Sequence, residues 1–200
     1  MNRTFDSDEE RYFYHWLLEL QESGYISEIL EQRTYEVCSD KIVTRRSKTL
    51  KKDKSELFIL TKKREYTPDF EFNFTEKARG LFFHDVNGGY EKRPFFYIHN
   101  PDLLCIVDIK GSFTAQFNSS ITFPDRQSML MKTYNLYVQK VIPYGNKKGQ
   151  TTLFNSTFTP QVMITEQVYK TNGKTWKVGD SKLKWNVLNL DKYVNSKTMD

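Results

Sequence analysis

Apolar residues recur at three- and four-residue intervals through Phe13, Trp16, Leu17 and Leu20, which is the stripe of an amphipathic helix. Ser7 stands ahead of it as an N-cap with Glu10 three residues on, and Gly24 is placed to end it. The pattern therefore predicts a helix over 8–23. A short element follows at 25–30, and 34–43 and 57–60 read as strands joined by a long, basic connection. Over 66–74 the period falls to two. Phe70, Phe72 and Phe74 alternate with Asp69, Glu71 and Asn73, giving a strand with one apolar and one polar face.

Beyond residue 75 the pattern is less regular. Asn87-Gly88-Gly89 marks a turn, with 94–98 pairing back as a hairpin. The run from Leu103 to Lys110 is the clearest buried strand, and a polar connection over 111–123 follows it. Met129, Leu130, Thr133 and Leu136 give a helix over 125–137 with Asp125 as its N-cap. Residues 138–144 read as another strand. The tail reads as strands at 153–158, 162–164, 168–170 and 175–178, the last two around the hairpin dipeptide Asn172-Gly173. The expected fold class is α/β, a mixed sheet with helices on its faces. It is divided into a core over 1–145 and a β-rich C-terminal extension over 146–200, packed on that core.

Composition narrows the classes. The apolar fraction is 38%, but 15 Phe, 12 Tyr and 3 Trp supply large buried areas, so a collapsed core is expected rather than a disordered chain. No apolar run approaches the ~20 residues of a membrane span. The start, Asn2-Arg3-Thr4 followed by acids, is unlike a secretory leader. Cys38 and Cys105 are too few and too scattered for a disulfide scaffold or a zinc site. A soluble, cytoplasmic protein with no membrane partner is the expectation.

The net charge of +5 conceals two opposed segments. Residues 1–40 carry ten acids and three bases, whereas 41–64 carry ten bases against Asp53 and Glu56. A basic segment holding Arg45, Arg46, Lys51 and Lys52 suits either a polyanion partner or a solvated loop. The Lys174-Thr175-Trp176-Lys177 hairpin interleaves cations with an aromatic in the same manner.

The candidate chemistry lies at the end of the buried strand. In Val107-Asp108-Ile109-Lys110 the two charged residues share one face. Burying either costs several kcal/mol unless it is paired or bound to an ion. Asp180-Ser181-Lys182 repeats the pattern without a buried strand behind it. Of the three Pro-Asp dipeptides, only Thr67-Pro68-Asp69 opens a separate strand that can run beside 103–110. Glu10 has two readings, as a carboxylate for the site or as the N3 member of the Ser7 capping box, with Glu9 as its substitute if the register slips by one. His15, His84 and His99 have no spacing that suggests a metal site or a general base.

Asp69 with Asp108-x-Lys110 on adjacent strands, and an acid on a preceding helix, resembles the PD-(D/E)xK nuclease superfamily. The Ser7-initiated helix carrying Glu10, Gly24-Tyr25-Ile26, and Gln32 before a strand are similar to the opening of small phage and prophage endonucleases, some of them Holliday-junction resolvase-like. The resemblance spans roughly 5–142 and departs from the compact pattern at a basic insertion near 44–56 and a hairpin-like one near 75–100. It implies a restriction-endonuclease-like sheet and Mg²⁺- or Mn²⁺-dependent hydrolysis of DNA, with branched DNA favoured and a homodimer as the assembly. It also implies Asp69, Asp108, Glu10 and the Ile109 carbonyl as metal ligands and Lys110 as the residue that orients the attacking water. Gln32 would orient Glu10 or the phosphate, while Arg126, Gln127 and Lys132 on the following helix would contact DNA. A non-catalytic nucleic-acid-binding protein is the rival from another class.

Overall fold

The computed structural model describes residues 4–30, 32–48, 53–86, 94–111, 119–145, 151–166, 169–171, 174–176 and 187–198. Helix α1 (Asp8–Glu22) starts at Ser7, whose Oγ accepts the Glu10 N–H at 3.2 Å. It ends at Gly24, with φ +74°, where the Gly24 and Tyr25 N–H groups close onto the Gln21 and Leu20 carbonyls. That paired closure is a Schellman motif, and its left-handed position suits glycine. Tyr12, Phe13, Trp16, Leu17 and Leu20 are buried along one side.

The centre is a four-stranded mixed sheet in the order β1 (Ile26–Ile29), β6 (Phe70–Phe74), β9 (Leu104–Ile109), β10 (Val138–Val141). β6 runs antiparallel to both its neighbours and β10 is parallel to β9. Alternation sorts the two faces. Phe70, Phe72, Phe74, Cys105, Val107 and Ile109 pack with the α1 residues, whereas Ile106 and Val138 pack with Tyr35, Tyr66, Phe123 and Leu130. The second cluster is covered by α2 (Ser119–Tyr134), so helices flank both faces. This is a mixed α/β protein with a mixed, helix-flanked sheet.

Several expectations are corrected. The 34–43 segment is two strands, β2 (Tyr35–Cys38) and β3 (Lys41–Lys48), parted at Ser39-Asp40. Among the described residues the basic stretch is mostly strand. β3 pairs along its whole length with β4 (Asp53–Thr61), which extends beyond the expected 57–60 strand because the polar residues 53–56 are paired in register with 45–48. Strand 66–74 is also two, β5 (Arg64–Tyr66), paired with β2, and β6; Pro68, which has no N–H for a ladder, lies between them. In 75–100, β7 (Phe83–Asp85) and β8 (Phe96–Ile98) pair in parallel, which excludes a simple hairpin; Asn87-Gly88-Gly89 lies outside the described residues.

α2 begins six residues earlier than expected, so Asp125 lies inside it and is not its cap. Phe123 and Leu130, rather than Thr133, face inward, and Asn135 at φ +56° follows the last turn. Among its described residues the tail is more helical than the expected β-rich extension. Residues 153–156 of the first expected strand form α3 (Leu153–Ser156), 162–164 lie in α4 (Gln161–Glu166), and α5 (Leu190–Thr198) closes the described chain. Short apolar runs suit a buried helix turn as well as a strand, and here Leu153, Phe154, Phe158 and Met163 are all fully buried. The strands of the expected hairpin are present as β11 (Tyr169–Thr171) and β12 (Lys174–Trp176), with Asn172-Gly173 and Lys177 outside the described residues. No helix among the described residues is long and apolar enough to cross a membrane.

Two buried amides lock the parallel half of the sheet. Gln139 on β10 accepts the Tyr97 N–H and donates to the Tyr97 carbonyl, both at 2.9 Å, so its side chain joins β8 to β10 as a strand's backbone would. Asn100 accepts the Tyr137 N–H at 2.6 Å and donates to the Tyr137 and Leu104 carbonyls, fixing where β9 and β10 begin.

Candidate active site

The β6–β9 register pairs Phe70 with Val107, which sets Asp69 across from Asp108. The Asp69 N–H donates to the Val107 carbonyl at 3.1 Å, and its carboxylate Oδ2 accepts the Ile109 N–H at 2.5 Å. Asp69 thus extends the ladder with its side chain one step past the strand's end. Asp108 shares a sheet face with Ile106, beneath Tyr66, and is only 3% exposed. Lys110 is on that face too. Its ammonium lies 2.7 Å from Asp108 Oδ2, in ion-pair contact, and donates to the Ile109 carbonyl at 3.0 Å. Asp108 Oδ2 is buried and accepts no hydrogen bond.

The electrostatics follow from two carboxylates sharing one ammonium. Burial, and then the charge of Asp108, push the Asp69 carboxyl up to about 6; the Ile109 N–H and Lys110 oppose the shift, and Glu10 adds to it. Tyr66, 3% exposed, has its phenol pushed well above the usual range by burial and by Asp108 and Asp69. Its hydroxyl makes no hydrogen bond, and the Arg126 guanidinium lies 5.6 Å from its ring centroid.

Because the folded-state pKa of Asp69 lies above its ordinary value of 3.8, the folded state holds this proton more tightly. The metal-stripped protein should therefore gain stability as pH falls through 6 towards 4. The gain is of order 2 kcal/mol. Thermal melts in chelator at pH 7 and pH 5 should show the rise in wild type and its loss in Asp69→Asn; an equal rise in the variant would place the titration elsewhere.

The other residues of the sequence reading are placed as follows. Glu10 completes the capping box, its Oε1 accepting the Ser7 hydroxyl at 3.1 Å, while its charge is felt at Asp69. Glu9, beside it, is raised by burial and then by Asp8 and Glu10. Among the described residues no three His, Cys, Asp or Glu side chains converge as a metal cluster, so Glu10, Asp69 and Asp108 are not brought onto one point. Gln32 donates to the Pro68 carbonyl at 3.2 Å. It holds the residue before Asp69, not Glu10.

Arg126 faces the site across Tyr66, and Lys132 is exposed on α2. Gln127 turns inward and donates to the Val138 carbonyl. Arg45 and Arg46 are exposed on β3, away from the central sheet, and Lys51 and Lys52 lie outside the described residues. A cleft of about 670 Å³ borders β10, with Tyr97, Gln127 and Lys140 in its wall, and includes neither aspartate. Cys38 and Cys105 are free thiols.

Sequence reasoning missed Tyr66 and Glu71. Glu71 is 1% exposed and accepts the Tyr35 hydroxyl at 2.9 Å, leaving Oε2 unpartnered. Alternation had placed it on an open polar face, and nothing local signalled that β2 and α2 would cover it.

The donor set suits a hard divalent cation. It offers carboxylate oxygens on two strands and the Ile109 backbone carbonyl, with the Lys110 ammonium set against the buried Asp108 Oδ2. No family model, curated protein or solved structure matches this chain.

Proposed function

We propose that the chain is a metal-dependent DNA endonuclease on a restriction-endonuclease-like core, of the PD-(D/E)xK superfamily. The observation that carries this reading is the position of the Lys110 ammonium, 2.7 Å from Asp108 Oδ2 and 3.0 Å from the Ile109 carbonyl, with Asp69 on the adjoining strand. Two facing carboxylates against one lysine leave a local excess of negative charge that folding alone does not reward. A carboxylate raised as Asp69 is, by burial and a neighbouring carboxylate, is characteristic of sites where chemistry is done.

Asp69, Asp108 and the Ile109 carbonyl would hold Mg²⁺ or Mn²⁺, with Glu10 at the rim. The bound cation would acidify a water and neutralise charge on the phosphate. Lys110, released from the pair of oxygens it now bridges, would orient that water and hold charge on a phosphate oxygen. Arg126 and Lys132 would contact the DNA backbone alongside. The resemblance to resolvase-like enzymes makes branched DNA the favoured substrate and a homodimer the working form.

The second reading, a nucleic-acid-binding protein without catalysis, draws on the absence of a converged three-carboxylate cluster among the described residues. One assay separates the readings. A four-way junction and a linear duplex of matching sequence are incubated with the protein and Mg²⁺ or Mn²⁺. The expected result is metal-dependent nicking, faster on the junction. Equal rates would remove the branched substrate, and binding without cleavage of either DNA would favour the second reading.

A further inference from the structure

Lys140 is the partner of Asp108 in the parallel β9–β10 register. Partners in a ladder stand on the same face of a sheet. Two residues back, the partners Ile106 and Val138 pack together in the cluster under α2, so the shared face is the one that α2 covers. Neighbouring strands lie about 4.8 Å apart. Across the strand ends the charged residues therefore run from Asp69 on β6 to Asp108 on β9 and Lys140 on β10. Lys110 is the cation paired with Asp108, and Lys140 is left exposed.

Lys140 also stands in the wall of the cleft of about 670 Å³, which brings that cleft within one strand of Asp108. The cleft has a local cause. Gln139 joins β10 to Tyr97 of β8 through its side-chain amide and not its backbone. The two strands are held apart by the length of that side chain, where a ladder would have closed the gap. Phe95, Tyr97 and Tyr137 are half-buried around the opening, and Phe123 and Gln127 of α2 form its other side. Tyr97 and Tyr137 also line a smaller hollow of about 310 Å³, so the two spaces adjoin at these rings.

We infer that this cleft is a subsite for an unpaired nucleotide beside the scissile phosphate, with Lys140 on its phosphate and Tyr97 and Tyr137 against its base. The subsite rests on the nuclease reading only for DNA as the strand and for a cut at Asp108. Its volume is that of a small-ligand pocket, too small for a duplex but open to one base turned out of a stack. Half-exposed rings beside a cation are the pairing that holds single strands, since every base has a face to stack. The substrate class is then DNA that presents unpaired nucleotides at the cut, as branched DNA does where its strands part.

The test is equilibrium binding in chelator, without divalent metal, over a range of salt. The probes are a short DNA strand, the same strand without bases, the matching duplex, and an RNA strand of the same sequence. Wild type should bind the complete DNA strand about ten-fold more tightly than the abasic strand or the duplex. Tyr137→Leu should remove the preference for bases and leave abasic affinity unchanged. Lys140→Ala should weaken both strands alike, by about three-fold, and lower the log–log salt slope by about 0.7. The wild-type comparison stands even if a variant fails to fold. Equal affinity for complete and abasic strands, or for strand and duplex, would overturn the subsite, and tighter binding of RNA would overturn DNA as its substrate. A preference for bases in a protein that cleaves nothing under Mg²⁺ or Mn²⁺ supports the subsite and removes the nuclease reading. Cleavage without that preference does the reverse.

Discussion

Asp108→Asn is expected to lower metal-dependent cleavage by about three orders of magnitude or more while leaving the protein at least as stable as wild type. The loss follows from the removal of one charged oxygen donor. A bound metal supplies several kcal/mol of transition-state stabilisation, and each ~1.4 kcal/mol is ten-fold in rate. The gain in stability has a separate cause. Asp108 is 3% exposed, its charge is one of the two main influences raising Asp69, and Asp69 remains near Lys110 as its counter-charge when Asp108 is neutral. A neutral amide of the same shape removes that repulsion. Lys110→Ala should also abolish cleavage but move stability the other way, since it leaves the buried carboxylate without its ion pair. The opposite signs can be read in chelator melts beside cleavage rates in Mg²⁺. Full cleavage by both variants would place the chemistry elsewhere. Two destabilised variants, with wild type inactive, would make the pair a structural ion pair.

What the sequence made legible, and what it did not, divides along the range of the interactions. Local signals held. The Ser7–Glu10 capping box, the Gly24 stop, the apolar stripe of α1 and the alternation in β6 each depend on neighbours within a few residues, and each is present. The same-face placement of Asp108 and Lys110 follows from strand period alone, and it too is present. Asp69 came beside Asp108 because the two strands are sheet neighbours, a long-range pairing that the motif implied and periodicity did not. Periodicity failed where tertiary cover decides. Glu71 alternates like a surface residue but is buried under Tyr35, and Tyr66 lies over Asp108 through the β2–β5 pairing. The tail failed for another reason. In 153–164 the apolar clusters are too short for a period to separate strand from helix.

The largest stability effect is expected in that tail. Trp16 of α1 is fully buried, stacked on Phe158 at 5.4 Å and on Phe13 at 5.7 Å, and it also meets Phe82 and Phe96. The C-terminal region therefore supplies one wall of the helix that carries Glu10. Further ties run between the same parts. Arg11 makes paired 2.8 Å bonds to Glu166, the Tyr12 hydroxyl donates to Glu166 at 2.6 Å, and the Gln161 N–H donates to Glu19 at 2.5 Å. Tyr193 of α5 donates to the Leu81 carbonyl at 2.7 Å. The exposed Arg11–Glu166 pair is worth little, but the aromatic contact is not. Phe158→Ala should cost about 3–5 kcal/mol, as a buried aromatic replaced by a cavity does. That is a large part of the ~5–15 kcal/mol that typically holds a domain. A chain ending at Gly145 loses Phe154, Phe158, Met163 and Tyr193 together from the main core, and it should not fold. Denaturant unfolding of the variant and circular dichroism of the truncated chain measure both. A truncated chain that melts as cooperatively as the whole would make 146–200 an appendage, and α1 would then be held by the sheet alone.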